Sequence, residues 1–517
     1  MHLCIVGGGS AGWMTAAGLA KKFENTALTI TLVESEEIGT VGVGEATLPH
    51  IRFFNQTLGI DERDFMRKTK ATFKLGIEFV NWGRKGQRYI HPFGDFGPPI
   101  QSIDFYQHWL HAQQQNQDVG ALSDYAYGIV AAQNNKFAMP KGDSSDITNA
   151  FGYAYQFDSI LYAKYLREFA EERGVNRVEG KIVNTSLCEQ SGNIHTLSLE
   201  SGQCISADFF IDCSGFRGLL IEQALHSGYQ DWSRWLPANS AVAVPCESAG
   251  ELGPYTRATA QDSGWIWRIP LQHRTGNGYV YCNDFISDDN AKDTLMGQLD
   301  GKALSSPRQL RFKTGRRNQF WKNNVVAIGL SAGFLEPLES TSIDLIQSGI
   351  TKLIELFPEL EDASKTTVAG EPSAYKLNHF DMDEYNAQMS LEYERIRDFL
   401  LLHYVANEKD DSPMWQYYRE MELPQSLEDK LDAWLHRGYI QRYEIGAFLP
   451  PSWVAVMLGQ NLTPKNVDPR VQNTEAKYSL EVARNMRKRI HEGSQQAQSH
   501  AKFLEHYLGL NTLGNTQ

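Results

Sequence analysis

The chain has 517 residues, with 62 acidic side chains against 49 basic ones and a formal charge of −13. That length supports a large core, and no Lys/Arg tract of the kind that neutralises phosphates along a duplex is present, so nucleic acid is not an expected partner. Six scattered cysteines without a C-x-x-C pair read as reduced thiols, no metal is expected, and no apolar run reaches membrane-spanning length; with the first strand opening at His2 and no signal peptide ahead of it, a cytoplasmic protein is expected.

The opening segment CIVGGGSAGWMTAAGLA runs a short apolar strand through a glycine-rich turn into a helix, a dinucleotide-binding signature. Gly7 permits the tight turn, Gly9 lets backbone approach a pyrophosphate, and Gly12 allows close helix–strand packing, while the helix N-terminus offers free amides to the anion. A second strand, ALTITLVE, ends in Glu34 at the interval where a carboxylate grips an adenosine ribose. In TFKLGIEFVNW the apolar Phe73, Leu75, Ile77 and Phe79 alternate, so Lys74, Gly76 and Glu78 share the opposite face; the pattern alone predicts a solvent-facing Lys74.

Further along, ADFFIDCSGFRG carries an apolar strand into Asp212, Ser214 and Gly215. GWIWRIP sets Trp265, Trp267 and Ile269 on one strand face as an aromatic wall, for which core packing is the default. NNVVAIGLSAGFLEPLEST then runs another strand into Gly329 and Gly333. Discontinuous pieces of this sort favour FAD over NAD, whose fingerprint is more often one contiguous unit. GFLEPLESTSIDLIQSGITKLIELF opens a helix that Ser340 or Thr341 can cap, with Thr341 and Asp344 at capping-box spacing. Its first-turn amides can also hold a pyrophosphate, a flavin carbonyl or a halide, with Glu339 fixed just before them. From about Ala374 the apolar spacing becomes helical. The expectation is an α/β part over 1–365 that binds FAD and a mainly helical module over 366–517.

GGGSAGW at the start, VGVGEATLP at 41–49, FKLGI around Lys74, WIWRIP at 265–270, GFLEPLESTS at 333–342 and RDFLLLHY at 397–404 occur together. In these the chain resembles the flavin-dependent tryptophan halogenase family along nearly its whole length. The resemblance implies a monooxygenase-type, Rossmann-like FAD module with inserted β-sheets and a helical module built on it. It also implies a two-component enzyme: FADH2 delivered by a separate NAD(P)H-dependent flavin reductase reacts with O2 and a halide ion, giving hypohalous acid for a small aromatic substrate. Lys74 matches the lysine that forms a haloamine or polarises the hypohalous acid, and Glu339 the glutamate that assists at the ring carbon. The halide would sit on the amides of Thr341 and Ser342.

By the same resemblance, FAD contacts include Gly8, Ser10 and Ala11 in the first turn, Ser35 and Ile38 after the second strand, Val41, Val43 and Ala46 in VGVGEA, and Val183, Val326, Leu330 and Ile343 further on. An aromatic substrate sandwich matches His91, Phe93 and Trp453. Two departures shape the substrate expectation. Ser342 stands where tryptophan-specific members usually have glycine, and no tyrosine pair matches the clamp for an amino acid's carboxylate and amine. An indole-like substrate and bromide rather than chloride are therefore expected. The alternatives are an FAD-dependent aromatic hydroxylase, which gives no reason for Lys74, Glu339 and the double-tryptophan wall to occur together, and a flavin-binding protein without turnover.

Overall fold

The strand His2–Val6 lies inside a six-stranded sheet ordered Trp321–Lys322, Val325–Ala327, Phe209–Asp212, His2–Val6, Thr29–Glu34, Asn176–Glu179. Its strands run parallel except for the outermost Trp321–Lys322. Helices cover it, so the central strands are apolar without alternation and Leu3, Cys4 and Ile5 are fully buried. The computed structural model describes residues 1–37, 44–142, 146–359, 377–409, 412–442 and 446–510. The expected boundary at 365/366 and three expected FAD contacts, Ile38, Val41 and Val43, lie outside the described residues.

The segment TFKLGIEFVNW is two strands, not one. Thr72–Lys74 pairs with Ala154–Asp158, which also carries Gly44–Ala46, whereas Gly76–Val80 joins a seven-stranded sheet between Arg88–Pro92 and Thr256–Gln261. Leu75 makes the switch, its amide donating to the Pro254 carbonyl at 2.7 Å. A Cβ on Gly76 would lie 2.3 Å from the His91 carbonyl oxygen, so the chain crosses where only glycine fits. Because each piece is covered on both faces, Lys74 has no exposed surface, which overturns the solvent-facing expectation.

The seven-stranded sheet continues through Gly264–Pro270, Thr275–Tyr281 and Ser240–Cys246 to Arg308–Arg311. Trp267 lies opposite Gly278, where a Cβ would meet the indole at 2.1 Å, so the glycine makes room for that ring. The C-terminal part is helical as expected, with helices at His379–Val405, Pro413–Glu420, Gln425–Arg437, Pro450–Gly459, Ala476–Gln496 and His500–Leu508. In the long helix His379–Val405 every residue from Ile396 to Tyr404 is buried, so its last two turns enter the core on all sides. Among the described residues no helix is long and apolar enough to cross a membrane.

Candidate active site

A cavity of about 790 Å³ opens at the end of His2–Val6. Gly7, Gly8, Gly9, Ser10, Ala11, Glu34, Ser35, Ala46, Leu330 and Ile343 line it. Gly7 has φ +111°, and a Cβ there would lie 2.3 Å from the Cys213 carbonyl oxygen, so the turn demands glycine. Gly12 sits in the helix behind the lining, where a Cβ would meet the Gly7 carbonyl oxygen at 1.8 Å; its role is the packing one. Two expected contacts are placed elsewhere. Val183 is 57% exposed while its neighbour Ile182 faces the cavity, and Val326 is fully buried within the six-stranded sheet, the loop after it supplying Gly329 and Leu330 instead.

The lining chemistry fits FAD. At one end are the glycine-turn amides, Glu34 and the cations Lys164, Arg167 and Arg217, a set suited to a ribose and pyrophosphate. At the other are Trp265, Trp267 and Ile269, so the strand face with core packing as its default is a cavity wall suited to a flavin ring.

Beyond that wall lies a fully buried cluster. The Lys74 Nζ donates to the Thr47 carbonyl at 3.0 Å and to Ser340 Oγ at 2.9 Å, and sits 5.1 Å from the Phe93 ring centroid. Burial pushes its amine down to about 7, against the opposing pull of Glu339. The Glu339 carboxylate is bracketed: His91 Nδ1 donates to Oε2 at 2.8 Å, and His403 Nε2 lies 2.8 Å from Oε1, though off the line of an ideal hydrogen bond. Burial alone would raise this carboxyl, but the two imidazoles outweigh it and hold it down at about 2.

Ser340 turns the chain between Glu339 and the helix Thr341–Glu355 with φ +61°, a left-handed conformation that costs a non-glycine residue about 1–2 kcal/mol. The expected cap does not form. Ser340 Oγ is occupied by Lys74 and makes no cap bond, while the Asp344 carboxylate pairs with His50 Nδ1 at 2.7 Å. The helix therefore starts without a side-chain cap. Ser342 faces the large cavity, whereas Thr341 is fully buried, its hydroxyl without a hydrogen-bond partner among the described residues.

His91 and Phe93 are neighbours, 6.2 Å between ring centroids. Trp453 reaches them through Phe399, 5.0 Å from Trp453 and 5.6 Å from His91, on which Phe448 stacks at 3.9 Å. Phe399, His403 and Phe448 were not singled out by sequence reasoning. The signal was in RDFLLLHY, where Phe399 and His403 stand four apart on one helical face, the His403 Nδ1 donating to the Phe399 carbonyl at 2.8 Å.

A family model described as tryptophan halogenase matches residues 2–476. Tryptophan 6-halogenase SttH of Streptomyces toxytricini is 36% identical over 484 residues, 88% of this chain and 88% of that protein. Tryptophan 7-halogenase RebH of Lentzea aerocolonigenes is 33% identical over 504 residues, 91% of each chain. Among solved structures, BrvH, a flavin-dependent halogenase from Brevundimonas sp. BAL3, matches with a TM-score of 0.91 at 41% identity, covering 98% of this chain and 99% of that one. This chain belongs to the tryptophan halogenase family of flavin-dependent enzymes, which are supplied with reduced flavin by a separate reductase.

Proposed function

We propose that this halogenase acts on electron-rich, indole-like aromatics and uses bromide better than chloride, with Lys74 directing the hypohalous acid and Glu339 assisting at the ring carbon. The observation that carries this reading is the convergence of Lys74 and Glu339, from distant parts of the chain, in one fully buried cluster behind the tryptophan wall. Bound reduced FAD, with O2 and halide, supplies the hypohalous acid. An amine with its pKa near 7 is available at neutral pH both as a hydrogen-bond donor and as a nucleophile toward halogen. A carboxylate held ionised beside the attacked carbon stabilises the arenium cation and helps to remove its proton.

The uncapped amides at Thr341 and Ser342 suit a halide. Bromide is easier to oxidise than chloride and less costly to strip of water, which supports the halide preference. Phe93, Phe399, Phe448 and Trp453 form a buried aromatic cluster around His91, which suits an aromatic substrate. A zwitterion entering it without paired partners meets a desolvation cost that bare indole avoids.

The test is competition between indole and tryptophan at equal concentration, with a flavin reductase, NADH and first bromide, then chloride, read by mass spectrometry. Brominated indole is expected to dominate. Halogenation of tryptophan at a single ring carbon would overturn the substrate reading, and a hydroxylated product would favour the hydroxylase. Without added reductase, NADH consumption is expected to be negligible.

A further inference from the structure

The two imidazoles on Glu339 differ in what their second nitrogen does. In His403, Nδ1 donates to the Phe399 carbonyl and Nε2 lies 2.8 Å from Glu339 Oε1, off the line of a hydrogen bond, so both of its nitrogens face polar groups of the protein. In His91, Nδ1 faces the Glu339 carboxylate, which only accepts, so that nitrogen carries the hydrogen. The other nitrogen, Nε2, belongs to a side chain that is 1% exposed and has no hydrogen-bond partner among the described residues. The rings around it are Phe93, Phe399 and Phe448. An unpartnered nitrogen buried among aromatic rings is costly unless a ligand uses it. Glu339, by contrast, has an imidazole nitrogen 2.8 Å from each of its oxygens.

We propose that His91 is the base that takes the proton from the halogenated ring carbon, with Glu339 orienting the imidazole and stabilising the imidazolium that forms. The inference rests on halogenation occurring at this site. In the step, the C–H bond of the arenium breaks, its electron pair returns to the ring, and an N–H bond forms at Nε2. The new imidazolium then lies 2.8 Å from a carboxylate already ionised, the arrangement in which a buried acid supports a histidine base. His403 is a positioning residue that keeps the carboxylate in place from its far side.

The test uses two variants with FAD, a flavin reductase, NADH, bromide and saturating indole, either unlabelled or fully ring-deuterated. His91→Phe keeps a flat ring and removes both nitrogens; His91→Asn keeps a donor toward Glu339 but offers no base. Flavin binding and trapped hypobromous acid report whether each variant is folded and whether the earlier chemistry survives. The expected result is hypobromous acid near the wild-type level, brominated indole down by roughly 10²-fold, and a primary deuterium isotope effect that the wild type lacks. Retention of bromination within a few-fold in either variant, or a loss with no isotope effect, overturns the proposal. If His91→Phe does not bind flavin, His91→Asn decides. Absence of hypobromous acid in the wild type would instead overturn the halogenase function on which the proposal rests.

Discussion

Glu336 and Glu339 stand three residues apart around one short turn, both with no exposed surface, yet their carboxyls are driven in opposite directions. Glu336 faces neutral donors, the Tyr404 hydroxyl and the Trp265 indole N–H, neither aligned for a full hydrogen bond, and burial pushes it up to about 7. Glu339 meets the same burial, but His91 and His403 hold it down at about 2. Burial alone makes a neutral acid; burial with imidazoles makes a fixed anion. What separates a neutral carboxyl from an ionised one here is therefore what other elements bring to it.

The largest expected effect lies beside Glu339, at Lys74. Lys74→Ala should abolish halogenation while FAD binding persists, because Nζ reaches Thr47, Ser340 and the Phe93 ring and Lys74 is not part of the cavity lining. Product formation and flavin affinity, measured separately, decide it. Bromination surviving at a substantial rate, after correction for freely diffusing hypohalous acid, would return Lys74 to a packing role.

The comparison is tested directly by the paired amides. Glu339→Gln removes a charge and should cost roughly 10²-fold in turnover, a typical loss for acid–base assistance. Glu336→Gln replaces a neutral acid by a neutral amide of the same shape and should stay within about 3-fold below pH 7. Equal losses in both variants would mean that the two carboxyls share one protonation state and that the contrast does not hold.

Local pattern exposed the lining of the large cavity well. The glycine turn, Glu34 and the Trp265–Trp267 face are each written in a few consecutive residues, and the structure places all of them on one cavity. The buried cluster around Lys74 and Glu339 is assembled from afar, and periodicity misread it. Lys74 meets Ser340 across 266 positions and His91 meets Glu339 across 248. Alternation put Lys74 in solvent because it assumed one strand, and the sheet switch at Leu75 is fixed by Gly76 and by the distant Pro254 carbonyl, neither of which a short window weighs. His403 was hidden for a similar reason: its value comes from Glu339, not from its own neighbours in sequence.

The smallest expected effect concerns stability, and its sign depends on the same contrast. Glu336 is pushed from its ordinary value of 4.5 up to about 7 by burial. Between those two values the native state holds a proton that the unfolded chain has already lost. This contribution is fully present below pH 4.5 and disappears as pH rises through 7. Glu336→Gln does not titrate, so the variant should gain on the wild type between pH 5 and pH 8 by on the order of 1–3 kcal/mol, read as a rising difference in Tm. Lys74 also shapes the wild-type curve, since an amine lowered from 10.5 to about 7 makes stability rise with pH between those values. That slope is common to both proteins and cancels in the difference. Glu339, lowered to about 2, contributes a slope of the same sign as Lys74 but only below pH 4.5, outside the measured window. A Tm difference that is flat from pH 5 to pH 8 would show that Glu336 is already ionised in the folded protein, and the contrast between the two glutamates would then rest on geometry alone.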